Sequence, residues 1–449
     1  MLLIIALIDL MGLCLIKQFN LMPNSTILGR ISFAYGAGIG LVYFQMFIYA
    51  ILKISYDPLV IVVPWLIFII FVILKPNKKI NLNRLSHLDR VSSILLIGIL
   101  LTVCFVLFEA LIRPLSAWDA WVTWFLAAKD YFLIHAIDPY LNSYTFFSVQ
   151  PVPILVLTFV FTLLGQVNDQ VSLLIYTSFY ISLLLMLYSS LRKIASVKFS
   201  LLFVFLFATL GDVIRHAGRY DVGYIDLPLG YFFFACFLLL KQLNERFSSK
   251  TLILLNFLLA VTALVKSDGL PYFLISQLII LYILKREKKL KLVFYTGLSF
   301  LLVVSWPLFL TFNHIPQFTF NLFSDHLSIK SIPIIVERIF VEALNIQRWN
   351  LLWPTFIVCI IVAKYTKTLK MIAFILASQF IFYCFDYIAT TMDVGDHING
   401  SLDRVLLQIT PLATYFISIT IIQLIKDKLF TKKYSMIFRK LNLNEKGNS

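Results

Sequence analysis

Charge is scarce in this chain: only 14% of its 449 residues are Asp, Glu, Lys or Arg, while 60% are hydrophobic. Too few polar groups exist to cover a water-facing globule, which excludes an ordinary soluble protein. Polar linkers are missing as well. No Pro/Gly/Ser-rich or low-complexity stretch divides the sequence, so a single membrane domain over 1–425 with a short basic cytoplasmic tail, 426–449, is the economical reading. The five cysteines all fall in apolar runs without CxxC spacing, which suggests neither a disulfide framework nor a zinc site. No soluble segment carries a basic stripe interleaved with aromatics, so the net charge of +15 does not point to nucleic acid. The start also lacks the basic n-region of a signal peptide, and Lys17 follows the first apolar stretch. An uncleaved helix with its amino terminus outside is expected.

What the chain has in abundance is long apolar runs. They predict an all-α, polytopic membrane protein of about thirteen spanning helices, near 2–16, 31–54, 59–74, 92–112, 171–191, 199–214, 223–243, 251–265, 270–284, 293–312, 350–363, 371–388 and 403–425. The apolar segment 151–165 is brief. Counting it as a crossing would place Arg192, Lys193, the basic run 285–291 and the basic tail outside, against the positive-inside rule. It is therefore expected to lie on the outer side as a re-entrant or surface-lying juxtamembrane helix. With that topology most of the 38 Lys+Arg and few of the 23 Asp+Glu are cytoplasmic, so the positive charge marks orientation in a bacterial cytoplasmic membrane.

Two outer loops are long, 113–170 and 313–349, and long ordered loops usually carry function. The second contains a run from Ile332 to Glu342 that alternates like an interfacial helix. Gly36, Gly38 and Gly40 lie in an apolar run without the strand or the Lys-Ser/Thr of a nucleotide loop, and at this spacing small residues let helices pack closely.

The first chemical candidate is Asp119, within a run where Trp118, Trp121 and Trp124 recur every third residue just after a predicted span. Such a stripe suits a helix at the lipid boundary and holds the carboxylate at headgroup depth, where it can act as general base. Alternatively Ser116 and Asp119 only cap a helix. Lys129 and Asp130 read as a solvated edge. The outer loop 212–226 gathers Arg215, His216 and Arg219 among carboxylates; arginines there suit a phosphate or diphosphate, and Asp226 can bind sugar hydroxyls or cap the next helix. The other reading is a mutually neutralising ionic loop. Lys266 and Asp268 join two helices at the outer face, either as a pair serving the turn or with Lys266 on a phosphate. His397 and Arg404 open the last helix as a further phosphate contact, while Asp393, Asp396 and His397 could hold a divalent ion without matching any known ligand spacing. His87, His135, His314 and His326 receive no role.

Taken in order, Trp118-Asp119-Ala-Trp121, a hydrophobic juxtamembrane helix, Gly223-Tyr-Ile-Asp226-Leu-Pro228, Lys266-Ser-Asp268-Gly-Leu-Pro271 and Ser401-Leu-Asp403-Arg404-Val-Leu-Leu-Gln408 resemble the GT-C superfamily of membrane glycosyltransferases, bacterial relatives of protein mannosyltransferases and aminoarabinose transferases. The resemblance covers roughly 92–425. It implies many helices whose outer loops build a cavity, in which a polyprenyl-phosphate-linked sugar is transferred to a glycan, lipid or protein acceptor without a cofactor. By the same resemblance Asp119 is the general base, and Lys266 and Arg404 hold the departing lipid phosphate, work that cations suit. One departure stands out: Ser148-Val-Gln-Pro-Val-Pro153 replaces a His-Pro-Asp-Tyr-Pro-like motif, which bears on acceptor or sugar specificity. The competing readings are a transporter or flippase of lipid-linked saccharides, which would want midplane charges or repeated halves that the chain lacks, and a saccharide polymerase or ligase.

Overall fold

The computed structural model describes residues 1–22, 26–75, 88–137, 151–314, 329–390 and 393–445, with side chains of the last helix as far as Asp427. Ser148 to Gln150 of the altered motif, His87 and His326 lie outside the described residues. Within them every regular element is a helix. α1 (Leu2–Gln18) packs on α2 (Ile27–Ile51) through small residues: a side chain at Gly38 would strike the Ile8 carbonyl, and one at Gly12 the Ala34 carbonyl. This is the close helix approach that glycine permits.

Local signals set the next boundaries. α3 (Pro58–Leu74) begins where Asp57 accepts from the amides of Leu59 and Val60, with Pro58 at the position that needs no amide hydrogen; α4 (Arg90–Ile112) begins where Asp89 accepts from Ser92. The chain then passes through one π-helical turn, Ala120–Trp124, into α5 (Phe125–Ile134). α6 (Pro151–Leu164) corrects one of its two expected placements, the surface-lying one, and leaves the re-entrant one open. It does not lie on the surface: every residue from Pro151 to Thr162 is buried, and it is wedged against α5, α2 and a later helix, 249–265. An apolar helix without a polar face can satisfy itself only by full enclosure in protein or lipid.

α7 (Asp169–Ser172) leads into α8 (Leu174–Leu191). The expected single span 199–214 is broken: α9 (Val197–Ala208) meets α10 (Gly211–Gly218) at 69°. α11 (Asp226–Glu245), α12 (Ser249–Val265), α13 (Gly269–Arg286) and α14 (Val293–Phe312) follow with short connections. The amphipathic run after residue 331 forms α15 (Ile332–Ala343), then come α16 (Ile346–Trp349), α17 (Leu352–Val362), α18 (Lys367–Ala389) and α19 (Val394–Glu445). α19 starts before the predicted 403 and continues without a break past 425, so the basic tail extends the last helix.

Eight helical stretches among the described residues are long and apolar enough to cross a membrane, or nine if the bent α9–α10 pair is one span. The protein is thus an all-α, multi-pass membrane protein. α11 and α19 are the most enclosed of these eight, with 83% and 94% of their apolar stretches buried, whereas α4 and α14 have 17% of theirs buried and present Leu, Ile and Phe outward, as lipid-facing helices do.

Candidate functional site

The start of α11, the end of α12, the loop after α4 and the first turns of α19 meet at one end of the bundle. The loop is anchored first. Ser116 Oγ donates to the Tyr220 carbonyl at 2.7 Å, and Trp124 Nε1 donates to the Gly223 carbonyl at 2.9 Å. Gly223 has φ +108°, a conformation open to glycine, and a side chain there would crowd Leu115 and Ala120. Ser116 therefore does not cap a helix, and Asp119 makes no capping bond either.

The tryptophan stripe is also corrected. Trp118 and Trp121 are 63% and 53% exposed and meet edge to face at 5.6 Å, but Trp124 is buried. The π turn that begins at Ala120 shifts the register, so the third indole points into the protein and serves as an anchor.

Asp119, on the exposed side of this turn, pairs with Arg404 from α19. Arg404 also lies over the Tyr224 ring, 4.6 Å from its centroid. Beneath it sits a tighter knot. α12 stops at Lys266, whose extended backbone (φ −157°, ψ 153°) turns the chain, and Gly269 resumes the helix as α13. Lys266 Nζ then lies 2.7 Å from Asp226 Oδ1 and 2.9 Å from Asp268 Oδ2. Gln408 Nε2, one helical turn after Arg404, donates to the same two carboxylates at 2.7 and 2.8 Å, while its oxygen accepts from Tyr383 Oη at 2.6 Å. Burial by itself would lower the Lys266 pKa, but the carboxylates of Asp226 and Asp268 outweigh it and hold the ammonium well above the ordinary lysine value. Asp226 Oδ2 is buried with no hydrogen-bond partner among the described residues.

Not all predicted contacts join this knot. Arg215 is held by Asp212 at 2.8 Å, by Asp221 and by Asp403 at 3.3 Å; Asp403 also meets Arg348, which reaches Glu342. Its donors are thus occupied by three carboxylates. His216 is fully buried beside them, 3.9 Å from Asp212 and Asp221, with neither ring nitrogen hydrogen-bonded among the described residues. Arg219 pairs with Glu109 at 3.2 Å and, with Arg113, flanks the Tyr220 ring. His397 turns to Thr390 Oγ1 at 3.0 Å, with Asp386 4.0 Å away, and Asp393 accepts from the Asp396 amide. Lys129 is no free edge: it bridges to Asp169 at 2.7 Å.

Sequence reasoning named Asp119, Asp226, Lys266, Asp268 and Arg404 but assigned no role to Gln408, Tyr224, Asp403 or Arg348. The signal for Gln408 was its spacing of four from Arg404, which puts both on one face of α19. Around the knot the charges nearly balance, with two cations against three carboxylates. An anionic ligand would therefore have to take Arg404 or Lys266 from its partner. The chain matches no family model, no curated protein and no solved structure.

Proposed function

We propose that the chain is a glycosyltransferase that moves a sugar from a polyprenyl-phosphate donor to an envelope acceptor outside the bacterial cytoplasmic membrane. The thirteen crossings expected from the sequence, with the basic loops inside, would bring the Asp119 end to the outer face. The observation that carries the reading is the pairing of Asp119 with Arg404, 285 positions apart, directly beside the buried Lys266–Asp226–Asp268–Gln408 knot. A half-exposed carboxylate joined to a cation at the mouth of a knot whose lysine is braced by two carboxylates suits a reaction that removes a proton and releases a phosphate, the phosphate taking Arg404 and Lys266 from their partners.

In this scheme Asp119 accepts the proton of the acceptor hydroxyl as that oxygen forms a bond to the anomeric carbon. The bond from that carbon to the phosphate oxygen breaks with its electron pair, and the anomeric configuration inverts. Arg404 leaves Asp119 to meet the developing phosphate charge, which frees the carboxylate to act as a base, and Lys266 supports it from below. Asp226, Asp268 and Gln408 hold Lys266 in place; Trp118 and Trp121 offer apolar faces to sugar or lipid. No cofactor enters the scheme.

The test compares envelope glycans and lipid-linked saccharides of cells that lack the gene with cells complemented by the wild type or by Asp119→Asn. A product lost on deletion should return with the wild type and stay absent with Asp119→Asn at equal membrane abundance. Restoration by Asp119→Asn would remove Asp119 as the base; no change in any glycan on deletion would remove the transferase reading.

A further inference from the structure

At the other end of α11 and α12, a cavity of about 610 Å³ opens between the start of α2, the ends of α8 and α11 and the start of α12. That volume is in the range of small-molecule sites. The twenty residues of α11 separate it from Asp226 by roughly 30 Å, about the thickness of a bilayer core. It is therefore a distinct site on the opposite membrane face.

The cavity is electrically one-sided. Lys193, Lys241 and Arg246 line it against a single carboxylate, Glu245. Glu245 pairs with Lys241 at 3.4 Å, and neither Lys193 nor Arg246 has an ion-pair partner among the described residues. Enclosure and the Lys241 ammonium both depress the Lys193 pKa from its ordinary value, and Glu245 opposes them. The C-termini of α8 and α11 account for some of this positive charge. The N-termini of α2 and α12, capped by Thr26 and Ser248, open on the same space and attract an anion. The lining also has an apolar part, with Met22, Phe33, Leu238 and Phe247. Cations and apolar side chains in one cavity match an amphiphile with a phosphate at its polar end.

We propose that this cavity binds a phosphate-bearing ligand through Lys193, Lys241 and Arg246, and that its occupant is the headgroup of an anionic phospholipid of the adjacent leaflet. Lys and Arg grip phosphate oxygens by charge-assisted hydrogen bonds, and the apolar part of the lining takes the first carbons of the lipid tails.

The test uses the full chain in phosphatidylcholine nanodiscs doped with phosphatidylglycerol, with bound lipid counted by native mass spectrometry. Wild type should retain phosphatidylglycerol, and the triple change Lys193→Gln, Lys241→Gln, Arg246→Gln should weaken retention about tenfold or more. A control, Lys285→Gln, Lys288→Gln, Lys291→Gln, removes the same charge from the neighbouring loop outside the cavity and should retain the lipid. Equal loss in both variants, or retention in the cavity variant, overturns the proposal. A second arm adds glycerol 3-phosphate to chains in undoped nanodiscs: saturable binding lost only in the cavity variant, without lipid selectivity, keeps the phosphate site but makes its source soluble. If the triple variant misfolds, Lys193→Gln and Arg246→Gln singly, which break no ion pair among the described residues, should each lower retention, and unchanged retention in both overturns the proposal.

Discussion

Lys266 Nζ lies 2.7 Å from Asp226 Oδ1, joining the end of α12 to the start of α11. Asp226 is 1% exposed, so this pair is a buried one, and its carboxylate has no water to fall back on. Losing one member strands the other. Lys266→Met is expected to destabilise the protein by about 3–5 kcal/mol, since breaking one side of a buried ion pair leaves an uncompensated charge. Thermal unfolding in detergent or nanodiscs measures it; a change within about 0.5 kcal/mol would mean that the pair bears no structural load.

The pH dependence of the same pair follows from its direction. The folded-state pKa of Lys266 is raised, so its contribution is fully present below the ordinary lysine pKa of about 10.4 and is lost only as pH rises through the folded value. Lys266 thus gives wild-type stability no slope from about pH 6 to 9, whereas in Lys266→Met the stranded Asp226 carboxyl is relieved by protonation, so the stability difference should narrow only as pH falls. A difference that instead narrows as pH rises through that window would show the ammonium losing its proton there.

Asp119 behaves differently, being 41% exposed on its side chain. Its partner Arg404 is only 19% exposed, so the pair is part-buried, but Asp119→Asn keeps an oxygen that accepts from Arg404 and should cost no more than about 1–2 kcal/mol while removing the proposed sugar transfer. Stability lost in proportion to activity would make this carboxylate structural.

The three tryptophans should separate in the same way. Trp118→Ala and Trp121→Ala remove exposed rings and are expected to stay within about 0.5 kcal/mol of wild-type stability while weakening substrate use. Trp124→Phe loses its hydrogen bond to the Gly223 carbonyl in a buried setting and should cost about 1–3 kcal/mol. Unfolding measurements on the three variants decide it, and equal stabilities would remove the anchoring role.

Packing of α1 on α2 gives a prediction independent of the site. Gly38→Ala places a methyl group against the Ile8 backbone, which cannot move aside like a side-chain tip, and should cost about 1–3 kcal/mol by overpacking. Gly297→Ala, with open space around the new Cβ, is the control and should be neutral or slightly stabilising. Equal unfolding temperatures for the two would deny the close approach.

Much of this architecture is legible along the chain because a membrane helix declares itself locally: a run such as 92–112 has no other stable state in lipid, where every backbone amide must be satisfied within the segment. Aspartates before α3 and α4 mark their starts for the same local reason. The chemistry-bearing positions Asp119, Asp226, Lys266, Asp268 and Arg404 stand out too, because ionisable groups beside apolar runs are costly and need a purpose. Their partners are another matter. Helices that are apolar on every side carry no stripe to say which face meets which neighbour, so nothing along the sequence shows that Gln408 bridges Asp226 and Asp268, or that Asp403 joins the loop carboxylates Asp212 and Asp221 around Arg215. Nor does periodicity reveal that one π turn rotates Trp124 inward or that α6 is enclosed. The sequence by itself determined the all-α membrane class and most of the apolar helices, but not the break between α9 and α10 or the ends of α19. Only the tertiary structure decided which charges meet across helices, because such pairing depends on helix order and rotation, which are set by contacts between residues from 40 to 285 positions apart.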